Sequence, residues 1–163
     1  MKKIFAVLVI LTLVLSLAAC GKKSGGEVET AAPDLNQYFE DFMSSLGEEN
    51  APAMMDLEGQ FLDAAYPGLS EFQTKQCVIK AAAISSVPYE FALVELEDEA
   101  DAEAAAQIFQ VRIDSQVAGG AFYPDTIAGW EKAVVITQGN TAALICAGTE
   151  QDAAVDAFRA LFQ

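Results

Sequence analysis

Gly139-Asn140 sits between two short apolar runs, Val134 to Thr137 and Ala142 to Cys146. Two residues leave room only for a tight reversal, and the glycine supplies the positive φ that such hairpin turns demand. An antiparallel pair is thereby written into the chain. An isolated hairpin is marginal in water, so further strands or a covering helix must complete it.

Two more strands are read from Gln76 to Ala83 and Phe91 to Leu96, apolar runs parted by the turn-like Ser85-Ser86-Val87-Pro88. Helical spacing appears at Leu35, Tyr38, Phe39, Phe42 and Leu46, with Gly47 as the stop. Gln60 to Ala65 is a short helix ended by Pro67-Gly68. The longest helix spans Asp98 to Ala118, with acids in its first turn, Ala105, Phe109 and Ile113 stacked, and Gly119-Gly120 ending it. Thr149 followed by Asp152 resembles a capping box before a last helix whose apolar face is Val155, Phe158, Leu161 and Phe162. The expected fold is α+β: a two-layer, four-stranded, mainly antiparallel sheet with helices packed on one face.

The N-terminus carries an address. Lys2 and Lys3 precede an apolar run from Ile4 to Ala19, about 24 Å long as a helix against a hydrocarbon core of about 30 Å. That is the order and length of a cleaved signal peptide. Leu17-Ala18-Ala19-Cys20 resembles the bacterial lipobox, in which the cysteine receives a diacylglyceryl group before cleavage. The expected organisation is a signal peptide over 1–19, a lipidated Cys20 with a flexible linker over 20–32, and one domain over 33–163. The membrane, reached through that lipid, is the first expected partner, with the chain held at the extracytoplasmic face.

Taking Lys2 and Lys3 off the 9 basic residues leaves 7 against 24 acidic ones from Cys20 onward, a formal net charge of −17. Such a domain repels polyanions, which argues against nucleic acid as a partner. Cys77 and Cys146 lie in apolar runs. Export permits a disulfide between them, but two buried free thiols are the preferred reading.

The chain has no histidine, which removes Ser-His-Asp and Cys-His catalysis along with the commonest metal ligand. No phosphate-cradling glycine loop follows a strand. The acids from Glu97 to Glu103 lack the spacing of a calcium loop and suit a solvated helix start. No catalytic residue, metal or cofactor is assigned. The most site-like stretch is Phe122 to Trp130, which holds the only tryptophan. Either its aromatics pin the loop to the sheet, or Tyr123 and Trp130 line a small groove with Arg112 or Gln116 as its polar group.

Several of these segments together resemble a known family. Phe91-Ala92-Leu93-Val94-Glu95 before an acidic helix, Arg112 with Gln116 inside it, Tyr123-Pro124, then Gly139-Asn140 with Leu144-Ile145 and a helix carrying Phe158 are similar to domain of unknown function 4358. That family comprises uncharacterised lipoproteins of clostridia-like Gram-positive bacteria. The resemblance spans about Gln76 to Gln163 and implies a small lipid-anchored envelope domain, with no activity or ligand. The expected function is a non-catalytic binding or protein-interaction module at the cell envelope, its partner an envelope protein or a small molecule. The alternative is a carboxylate-dependent hydrolase of envelope glycans, which requires two facing acids. A solute-binding receptor with two closing lobes fits poorly in a chain of this length.

Overall fold

Eight consecutive residues, Tyr89-Glu90-Phe91-Ala92-Leu93-Val94-Glu95-Leu96, form a strand in which all but the first are buried, and Thr141–Ala147 is buried throughout. A strand with no solvent face must be central and covered on both sides. The computed structural model, which describes residues 32–163, bears this out. The expected signal peptide, Cys20 and nearly all of the linker lie outside the described residues.

The strands are β1 (Met54–Asp56), β2 (Thr74–Ala82), β3 (Tyr89–Leu96), β4 (Val134–Gln138) and β5 (Thr141–Ala147). They form one antiparallel sheet in the order β1-β2-β3-β5-β4. The helices are α1 (Leu35–Ser45), α2 (Gln60–Ala65), α3 (Glu99–Ser115), α4 (Pro124–Trp130) and α5 (Gln151–Ala160). The fold is α+β, as the sequence predicts, with two corrections. The sheet has five strands, because Met54–Asp56 adds an edge strand to Lys80–Ala82. Helices cover both faces, because β3 and β5 alternate apolar side chains toward each.

On one face Ala92, Val94, Leu96, Leu144 and Cys146 pack with Ala102, Ala105, Phe109 and Ile113 of α3 and with Trp130 of α4. On the other, Phe91, Leu93, Ala143 and Ile145 meet Leu35, Tyr38, Phe39 and Phe42 of α1 and Ala154, Val155 and Phe158 of α5. Period-2 alternation in the strands thus meets helical stripes on each side. Tyr38 turns edge-on to Phe158, 5.4 Å between ring centroids. Its hydroxyl donates to the carbonyl of Ala154 at 2.8 Å, which spares the buried polar tip from going unpaired.

The predicted hairpin forms with Gln138 opposite Thr141, and Gly139 holds φ at +56°. Asn140 adds a tie that its position alone does not reveal: its side-chain amide donates to the carbonyl of Leu96 at 2.7 Å, locking the turn to the end of β3. The Thr149 capping box does not form. Its hydroxyl donates to Glu150 at 3.3 Å, and the last helix is fastened instead by Gln151, which accepts from the Ala147 amide and donates to the Ile145 carbonyl, each at 2.9 Å. A 3₁₀ turn at Gly148–Glu150 fills the space where the cap would stand.

Candidate functional site

Glu90 is a charge near the start of a largely apolar strand. It leaves β3 on the α3 face with only 3% of its surface exposed. A carboxylate buried to that degree demands partners, and it has them. The guanidinium of Arg112, from α3, donates to it twice, Nε at 2.9 Å and Nη2 at 2.8 Å, and the Tyr66 hydroxyl donates to one of the same oxygens. The two-pronged fit is the geometry guanidinium and carboxylate share. Burial disfavours charge on Arg112, but hydrogen bonds and charge from Glu90 outweigh it and raise its pKa. Burial, then the adjacent carboxylate, pushes the Tyr66 hydroxyl well up, so it stays a donor.

Rings enclose the pair. The guanidinium lies 5.4 Å from the Trp130 ring centroid and 5.8 Å from that of Tyr66, within reach of cation–π attraction. Trp130 itself is 4% exposed and belongs to the core. Behind it, Cys146 donates its thiol to the carbonyl of Pro88 at 3.2 Å. Burial, and then the charge of Glu90, pushes that thiol up to about 12, so it is a packing group with little nucleophilic character near neutral pH.

α4 is clasped to the turn before β3. Thr126 donates to the Ser86 carbonyl at 2.6 Å. Gly129 packs so closely that a methyl there would stand 2.4 Å from Pro88 Cβ and Cγ. On this fixed base sit Phe122 and Tyr123, in edge-on contact at 5.4 Å and exposed to 85% and 55%. The four candidate residues therefore separate. Arg112 and Trp130 come together inside the domain. Tyr123 stands outside beside Phe122. Gln116 begins a π-helical turn, Gln116–Gly120, and folds against Gly120.

Glu90 and Tyr66, the partners Arg112 requires, were not read from the sequence; the one available signal was an acid within the buried run of β3. The other buried acid, Glu95, lies five positions on and faces the α1 side, where Gln76 donates to it at 2.7 Å. The two buried carboxylates of β3 thus point to opposite faces of the sheet and cannot flank one glycosidic bond.

Cys77 and Cys146 are both free, as expected, but Cys77 is exposed rather than buried, at an end of β2 that β1, paired only with Lys80 to Ala82, does not reach. The register puts Cys77 opposite Val94 and Cys146 opposite Glu90 on the two sides of β3. That is a separation of roughly 16 Å, against the ~7 Å limit for a disulfide. Among the described residues no group of three or more His, Cys, Asp or Glu is placed to hold a metal, and no helix is long and apolar enough to cross a membrane.

A five-stranded antiparallel sheet between helical layers, with a buried Glu–Arg–Tyr cluster beneath one of them, is the class of domain these features define. The chain belongs to the family described as Domain of unknown function (DUF4358), whose model matches residues 47–147. The match begins well before Gln76 and ends with β5. It takes in the whole sheet and the Glu90 cluster, and leaves α1 and α5 outside. No curated protein and no solved structure matches the chain.

Proposed function

We propose that this chain is a lipoprotein held by acyl chains on Cys20 at the extracytoplasmic face of the cell membrane, in the Gram-positive setting the family resemblance implies, and that its domain is a non-catalytic protein-interaction module. The exposed pair Phe122 and Tyr123 carries the interaction reading. Aromatics anchor interfaces because they offer large contact area at low entropic cost. Here they stand directly before α4, which the Thr126, Gly129 and Trp130 contacts hold against the domain. Leu17-Ala18-Ala19-Cys20 supports the anchor.

Two experiments test the two halves. Cys20→Ala should abolish labelling by a radioactive fatty acid and leave an uncut precursor; persistent labelling refutes the anchor. A photocrosslinking residue at position 123 in intact cells should give a discrete adduct that Phe122→Ser removes, whereas the same residue at Ile84, exposed in the β2–β3 turn, should not. Equal adducts at both positions refute the interface.

A further inference from the structure

The described residues hold five basic side chains against 22 acids. Three of the five are spoken for: Lys75 with Glu97 at 3.8 Å, Lys80 with Asp56 at 2.6 Å and Arg112 with Glu90 at 2.8 Å. The other two, Lys132 before β4 and Arg159 near the end of α5, make no ion pair among the described residues. Acids outnumber bases more than fourfold, yet these two cations line the same cavity, of about 490 Å³.

We infer that this cavity is a binding site for a small organic oxyanion, a carboxylate or a phosphate monoester on a compact apolar body. Lys132 and Arg159 supply the positive charge, while Val134 and Val155 supply apolar wall. The volume falls in the range of small-molecule sites and exceeds what a bare ion would fill. Among the lining residues the two cations exceed the one acid, Asp152, by one positive charge, and Glu150, bonded to the Thr149 hydroxyl, stands outside the lining. The surrounding acids do not forbid this, because at physiological ionic strength charges beyond about 8 Å are largely screened. They do forbid a polymer or a membrane surface, which would extend over the acidic exterior.

The test uses the full chain in neutral detergent at physiological salt, with isovalerate, phenyl phosphate and inorganic phosphate as calorimetric probes. Isovalerate or phenyl phosphate should bind saturably and more tightly than inorganic phosphate. Lys132→Gln and Arg159→Gln should each weaken that binding about tenfold, equal to about 1.4 kcal/mol, while Lys75→Gln should not change it. Both residues are exposed, so thermal melts of the variants should match the parent. Which organic probe binds tells a carboxylate source from a phosphate one. Absence of saturable binding by either, binding no tighter than that of inorganic phosphate, or binding indifferent to both substitutions would overturn the inference.

Discussion

Replacing Arg112 by Met would keep the length of the side chain, remove its charge, and strand Glu90 with Tyr66 as its remaining partner. Breaking one side of a buried ion pair typically costs about 3–5 kcal/mol. The expected destabilisation is therefore about 3–4 kcal/mol at pH 7, or roughly 10–15 °C in melting temperature for a domain of this size. Adding Glu90→Gln removes the unpaired charge and leaves an amide oxygen to accept from Tyr66, so the double variant should recover at least 1.5 kcal/mol at pH 7. Urea unfolding of parent, single and double variants at pH 7 measures all of this. A loss under about 1 kcal/mol at pH 7, or no recovery in the double variant, would refute the buried-pair reasoning.

Trp130→Ala should cost about 3–5 kcal/mol by emptying a core position, and a variant melting with the parent would contradict its packing role. Gly129→Ala should destabilise by more than about 1 kcal/mol through overlap with Pro88, read from the same urea curves. Because the Cys146 pKa is raised from 9.0 to about 12 in the fold, the thiol ionises first in the unfolded chain. Stability linked to it is complete below pH 9 and falls as pH rises toward 12, by about 2 kcal/mol at pH 10.5; Cys146→Ala should lessen that alkaline loss relative to the parent. In native protein a thiol reagent followed by peptide mapping should modify Cys77 readily and Cys146 only after unfolding.

Helices α1, α2, α3 and α5, strands β2 to β5 and the hairpin turn were legible because each rests on a local rule, periodicity or a turn dipeptide. β1 was not, since Met54-Met55-Asp56 has no β-branched residue and becomes a strand only because Lys80 to Ala82 offers a free edge. The covering of both faces was present in principle in the unbroken apolar run of β3, but runs of that kind also suit a one-sided sheet with small residues outward. The site divided along the same line. Trp130, Tyr123 and Arg112 stood out by residue type, whereas Glu90 and Tyr66 join Arg112 through pairings 22 and 46 positions away along the chain, and such separations leave no local trace. The Thr149 box failed because Gln151 competes for the same end of the helix with two bonds to β5.

The bond from Tyr38 to Ala154 joins positions 116 apart, and it sets a schedule for the chain. Synthesis delivers the N-terminal end first, so α1 emerges early while the helix it must lie against emerges only after β5. Until then its aromatic stripe of Tyr38, Phe39 and Phe42 has only half of its eventual surroundings. A chain interrupted after β5 would hold the entire sheet and the Glu90 cluster, yet would present that stripe to solvent or to any chaperone standing nearby. Completion of one face thus waits for Gln151–Ala160, and a nascent domain halted short of that helix would leave the apolar side of its first helix incompletely covered.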